Sequence, residues 1–160
     1  MGCHDISIEN VAGFTEDDTV AITGIDWALE RRFAVDGMDR SIKRISVRNV
    51  KGASYCSQVR VLSQDGVCVR DVRIDGVEDI SGKMDCLDRG GCGVRIGDMH
   101  VYGGGARRAK EGDVCDVAVK NVRSRAATAA VLVVGRIPGL VTENIEAFDG
   151  CPADLSRVDD

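Results

Sequence analysis

The sequence predicts an all-β protein, a right-handed parallel β-helix of about five coils. Three observations lead there. A short phrase, branched aliphatic, any residue, aliphatic, any residue, then Asn or Asp, recurs five times along the 160 residues. A second apolar pair follows most copies at a fixed offset. No segment carries a long helical period. An internal period bearing two strand pairs marks stacked coils, because one copy is too small to bury its apolar face and its neighbours complete the interior.

The first copy reads Ile6-Ser-Ile8-Glu-Asn10, with Val20 and Ile22 ten and twelve residues beyond the Asn. The second reads Ile45-Ser-Val47-Arg-Asn49, with Val59 and Val61 at the same offsets. Val72-Arg-Ile74-Asp75 is the third, and its pair, Val94 and Ile96, is displaced by nine residues. Val117-Ala-Val119-Lys-Asn121 is the fourth, with Val131 and Val133 in place, and Ile145-Glu-Ala147-Phe-Asp149 is a looser fifth. Alternation of aliphatic and polar residues puts the aliphatics on one face of a strand, and Ile and Val suit that pleated surface. The anchors lie 39, 26, 46 and 28 residues apart. The shortest spacings predict a basic coil of three short strands, the third falling at Val67-Cys68-Val69, around Val101, and at Leu140-Val141. Each Asn or Asp anchor is expected in a turn, where such residues tolerate unusual backbone angles.

Departures from the period mark loops. Extra residues lie between Thr23 and Arg40, within Gly82 to Gly91, and over Gly103 to Gly112. In stacked-coil proteins such insertions collect on one side and often build the binding face. With no low-complexity linker, residues 1–160 read as one domain. The first coil opens at residue 5 without a cap, and Pro152 to Asp160 is a weak cap. Because stack ends need covering, the sequence predicts either a fragment of a longer β-helix or a homo-oligomer that covers its open ends.

Composition narrows the partners. The net charge of −5 argues against a general nucleic-acid binder. No run of about 18 apolar residues offers a membrane span. Met1-Gly2-Cys3-His4-Asp5 has neither the cationic start nor the apolar run of a signal peptide, which leaves the localisation open. Seven cysteines cannot complete a disulfide framework, and they read as small residues stacked between coils. Cys86 and Cys92 lack zinc spacing, and His4 and His100 are far apart, so no metal or other cofactor is expected.

The most specific segment is Asp5 to Ile22. It resembles the polygalacturonase-like glycoside hydrolases of the pectin-lyase-like superfamily, whose repeat runs aliphatic-x-aliphatic-x-Asn, a turn ending Gly-Asp-Asp, then Cys-aliphatic-Ala-aliphatic. Asn10, Asp17, Asp18, Val20, Ala21 and Ile22 fall in that register, with Glu16 in place of the Gly. The resemblance implies a right-handed parallel β-helix and a polysaccharide or oligosaccharide partner, a uronate-containing one among the candidates. It implies that Asp17 protonates the leaving oxygen and that Asp18 acts on water. Inverting hydrolysis requires such an acid and base with room for water between them, and adjacent carboxyls raise one another's pKa. The segment through Gln58-Val-Arg-Val-Leu62 resembles the family's Arg-Ile-Lys substrate clamp, so Arg60 is implied in substrate binding, with Leu62 where the Lys stands. The family's Gly-His-Gly segment has no counterpart here, and its Asn-Thr-Asp motif would fall before Met1.

Two further features suit a sugar. Trp27, the only Trp, can stack on a pyranose face or pack its own loop. Arg107, Arg108 and Lys110 can pair with uronate carboxylates or form a solvated charge cluster. Three function classes stay open: a glycoside hydrolase, a non-catalytic glycan-binding or assembly module, and a Ca²⁺-dependent eliminase using Asp17, Asp18 and Arg60.

Overall fold

The computed structural model describes residues 2–25, 35–81, 91–97, 108–126 and 128–157. Trp27, Cys86, His100, Val101 and Arg107 lie outside them. The described residues are all-β, ten strands with no helix. They are β1 (His4–Thr15), β2 (Val20–Gly24), β3 (Ile42–Ser54), β4 (Ser57–Ser63), β5 (Val69–Asp79), β6 (Cys92–Gly97), β7 (Val114–Ser124), β8 (Ala129–Val134), β9 (Val141–Ala147) and β10 (Asp154–Arg157). Odd strands form one parallel sheet, in the order β1-β3-β5-β7-β9, and even strands form a second, in the order β10-β8-β6-β4-β2. Each copy of the repeat therefore gives one strand to each sheet.

The register follows the apolar pairs. In the first sheet Ile6, Ile45, Val72 and Val117 are aligned, as are Ile8, Val47, Ile74 and Val119. In the second, Val20, Val59, Val94 and Val131 are aligned, as are Ile22, Val61, Ile96 and Val133. These side chains make one buried cluster spanning both sheets. Each buried Val or Ile contributes roughly 1.5–3 kcal/mol relative to exposure. At the edge strand β1, Ile8 only packs partly on the core and Ile6 is 37% exposed, because among the described residues no strand stacks beyond β1.

The anchors sit in the left-handed region of backbone space. Asn10, Asn49, Asn121 and Asn144 have φ between 54° and 60°. Alternation slips there: in β3 both Arg48 and Asn49 face outward, and Val50 returns to the core. The side chains bond from copy to copy, Asn49 Nδ2 donating to Asn10 Oδ1 (3.2 Å) and Asn144 Nδ2 to Asn121 Oδ1 (2.7 Å).

Two anchors differ from the sequence reading. Asp75 aligns with Arg48 and Lys120, so the third anchor position belongs to Gly76, which reaches φ +81° without a Cβ penalty. Asp75 still serves the column by accepting from Asn121 Nδ2 at 2.6 Å. The fifth anchor is Asn144, not Asp149, because Ile145 aligns with Val122. The loose aliphatic phrase at 145–149 hid a copy in which Thr142 takes the place of Val119.

Among the described residues the expected third strand is not a separate element. Val69 is the first residue of β5, paired with Ile42 and Val114, and Val141 begins β9. The tail is more than a cap, since Asp154–Arg157 pairs with β8 and completes the second sheet. Among the described cysteines, all free, only Cys92 is buried, and no two share a ladder position.

Charges on the outer face of the first sheet alternate along the stack. One column runs Glu9, Arg48, Asp75, Lys120, Glu143, and another runs Lys51, Glu78, Arg123, Glu146. Lys51 meets Glu78 at 2.8 Å, Lys120 meets Glu143 at 2.5 Å and Arg123 meets Glu146 at 3.2 Å. Opposite charges across neighbouring strands favour this register over a slipped one.

Candidate functional site

Asp17 and Asp18 end the turn between β1 and β2. Hydrogen bonds fix that turn to the next copy: Thr19 N donates to Ser57 O (3.0 Å), and Ser54 Oγ donates to Asp17 O (2.8 Å). Asp18 precedes Val20 by two residues, as Ser57 precedes Val59 and Cys92 precedes Val94, and those valines are aligned. Asp18 therefore continues the Ser57–Cys92 column, and Ser57 Oγ lies 3.5 Å from Cys92 Sγ.

Arg60 stands between the core residues Val59 and Val61, so its side chain leaves by the opposite face of the second sheet. It reaches Asp18 there, Nη1 to Oδ2 at 2.8 Å, with the side chains 12% and 3% exposed respectively. The contact is an ion pair without hydrogen-bond alignment, and neither Asp18 oxygen has an aligned donor. The second sheet is covered on this face too. Leu62, Leu132 and Val134 are buried, and Leu132 and Val134 cluster with Cys92 and the half-buried Leu155.

The two carboxyls differ sharply. Burial pushes Asp18 up to about 6; Arg60 opposes the shift and the charge of Asp17 adds to it. Asp17 is exposed, and its carboxyl is lowered, chiefly because it accepts the backbone N–H of Asp18 at 2.8 Å. The order of protonation is thus the reverse of the one the family resemblance implies: Asp18 keeps a proton longer and Asp17 is ionised.

Behind the turn runs a buried polar chain. Thr15 Oγ1 lies 2.9 Å from Thr19 Oγ1, which donates to Gln58 Oε1 at 3.1 Å. Gln58 Nε2 donates to Asp79 Oδ1 (3.4 Å), and Ser124 Oγ donates to Asp79 Oδ2 (2.7 Å). Asp79 also accepts from Ser81 N at 3.0 Å, so this buried carboxylate is satisfied. The chain ties four copies together behind the turn bearing Asp17 and Asp18.

The structure thus brings Asp17, Asp18 and Arg60 to one turn. Arg108 is exposed in an isolated bridge with Gln64, on another part of the molecule from the Asp pair. Among the described residues no group of three or more His, Cys, Asp or Glu is arranged to hold a metal ion.

Sequence reasoning missed two groups here. Arg95 aligns with Arg60 on the neighbouring strand, on the same outer face. The signal was present, since Arg95 divides Val94 from Ile96 as Arg60 divides Val59 from Val61. Phe14 and Tyr55 form an edge-to-face pair, centroids 5.3 Å apart at 80°, and both are exposed. Tyr55 N donates to Thr15 O, which places that pair beside the Asp-bearing turn. The 39-residue offset pairs Phe14 with Ala53, so only the turn geometry unites the rings. Comparison of the chain with protein-family models, with curated proteins and with solved structures finds no match.

Proposed function

We propose that residues 1–160 form one right-handed parallel β-helix domain of five coils that acts on or binds a polysaccharide where Asp17, Asp18 and Arg60 meet. The fold reading is supported by the two parallel sheets that the chain visits alternately and by the right-handedness of parallel crossovers in general. The resemblance to polygalacturonase-like glycoside hydrolases supplies the reaction class, hydrolysis of glycosidic bonds. One observation carries the site: a carboxyl held near pKa 6 beside an arginine, next to a second, ionised carboxyl. Such a pair divides the roles of acid and base. In this reading Asp18 is the proton donor, Asp17 the partner carboxylate and Arg60 the group that positions the sugar.

A second reading, a glycan-binding module without turnover, is favoured by the burial of Asp18, whose side chain is only 3% exposed. Edge-covering association belongs to either reading, since Ile6 and Val141 are exposed at opposite ends of the first sheet.

The test is a reducing-end assay on neutral and acidic polysaccharides, run beside equilibrium binding. The hydrolase reading expects slow turnover that Asp18→Asn abolishes while binding and fold persist. Binding without turnover selects the module. Turnover that survives in the Asp17→Asn, Asp18→Asn double variant places the chemistry elsewhere.

A further inference from the structure

We propose that β1 is a strand-accepting edge. It takes a parallel strand from a second polypeptide, one that sets a Lys or Arg opposite Glu9 and an Asn opposite Asn10. Such a partner is independent of the glycan reading above.

Among the described residues β1 is the longest edge strand, twelve residues paired only with β3. None of its residues is buried, although Ile45, Val47 and Val50, aligned with Ile6, Ile8 and Val11, are. Ile6 and Phe14 are exposed, and Ile8 and Val11 are only half-buried. A long edge with open backbone groups and an apolar side is a template for another strand. Backbone hydrogen bonds then supply the affinity, and the side-chain columns supply the selectivity.

The opposite end of the stack is built differently. β9 has Thr142 at a core position, and β10 carries Asp154 and Ser156 in line with Val131 and Val133. Polar side chains stand at that end where β1 presents Ile6, Ile8 and Val11.

Three columns define the partner. Charges alternate along Glu9, Arg48, Asp75, Lys120 and Glu143, so Asp75 lies between two cations. Glu9 has Arg48 on one side only, at 3.7 Å, and Ser7 Oγ beside it at 2.9 Å. The place on its other side suits a cation. In the anchor column each carboxamide donates to the strand before it, Asn49 to Asn10 and Asn144 to Asn121. Asn10 Nδ2 has no acceptor among the described residues, and an Asn on the incoming strand supplies one. Opposite Ile6, Ile8 and Val11 the partner needs aliphatics. Its strand therefore reads aliphatic, any residue, aliphatic, Lys or Arg, Asn, aliphatic.

A second copy of this chain fits poorly. Stacked end to end, it would bring β9 against β1 and set Glu143 on Glu9, which share one column. Pairing β1 with β1 gains no Lys or Arg, since the strand contains neither.

The probe is a synthetic peptide copying residues 117–124, Val-Ala-Val-Lys-Asn-Val-Arg-Ser. Within the sheet that segment already sets Lys120 in the column of Glu9. A second peptide carries Lys120→Glu. Each is titrated into ¹⁵N-labelled protein and followed by amide chemical shifts. The expected result is saturable shifts concentrated at residues 4–15, with the Lys120→Glu peptide bound about 10-fold more weakly. Glu9→Lys, its fold checked by circular dichroism, should reverse that preference. If Glu9→Lys does not fold, Glu9→Gln serves instead and should abolish the preference. No saturable shift, shifts centred on β9 or on the face of either sheet, or equal affinity of the two peptides for the native protein overturns the proposal. Sedimentation of the protein alone completes the test. A profile unchanged by Ile6→Lys is expected, whereas self-association that Ile6→Lys abolishes gives the edge to a second copy and overturns the proposal.

Discussion

Replacing Asp18 with Asn removes a buried titratable group while keeping its shape. The carboxyl moves from 3.8 in the unfolded chain to about 6 in the folded one, chiefly by burial. The folded state thus holds this proton more tightly than the unfolded state. Below pH 3.8 both states are protonated and the group is neutral in its effect. As pH rises from 3.8 to about 6 the unfolded chain ionises first, and the folded protein loses stability. The total loss is about 3 kcal/mol, and about 2 kcal/mol of it falls between pH 4.5 and 7. Asp17, lowered in the fold, has the opposite sign: its contribution is present at neutral pH and is lost as pH falls. The comparison of native protein with Asp18→Asn cancels that background. The ion pair with Arg60 forms only when Asp18 is ionised, so its effect is already contained in the shifted value. Urea unfolding midpoints at half-unit steps from pH 4.5 to 7 give the measurement. Asp18→Asn should gain about 2 kcal/mol relative to the native protein across that window. Parallel curves would refute the reasoning, since they would mean that burial does not hold the Asp18 proton.

Other substitutions probe the stack. Val94→Ala, at a fully buried position in a column of four valines, should cost about 2–3 kcal/mol by lost burial and cavity formation, read as a fall in urea midpoint. Asn121→Gly should be nearly neutral, because the loss of its hydrogen bonds, about 1 kcal/mol, is offset by relief of the Cβ penalty at φ 55°, whereas Asn121→Ala keeps that penalty and loses the bonds and should cost about 1–2 kcal/mol. Lys120→Glu places three acids in a row between Asp75 and Glu143 and should cost about 1 kcal/mol at low salt, a loss that shrinks in 1 M salt.

The fold was legible wherever the aliphatic spacing was strict. Val20 and Ile22, Val59 and Val61, Val94 and Ile96, and Val131 and Val133 occupy the aligned places their offsets suggested. Legibility failed where backbone need replaced side-chain type. Gly76 meets a left-handed requirement that Asn meets elsewhere, so the neighbouring Asp75 drew attention. Thr142 stands where an aliphatic was expected, because the core side of an edge strand is less enclosed. Strand β10 carries Asp154 and Ser156 at the apolar positions for the same reason. The alternating charge columns could not be read before the register was known, since their members lie 23 to 45 residues apart. The Asp pair was visible as a motif, but its protonation order was not. That order depends on which carboxyl the turn buries, and adjacent residues in a sequence do not disclose it. Arg95 went unremarked because a charged residue alternating with aliphatics ordinarily faces water.

The function proposed above places a glycan at the turn where Asp18 meets Arg60. Titration of ¹⁵N-labelled protein with trigalacturonate and with the sulfated chondroitin tetrasaccharide, followed by amide chemical shifts, tests it most directly. The expected result is saturable shifts concentrated at residues 17–19 and 57–60, with the aliphatic columns of the core unmoved. Saturable shifts confined to the charge columns of the first sheet, or no saturable shift with any acidic glycan, would contradict it.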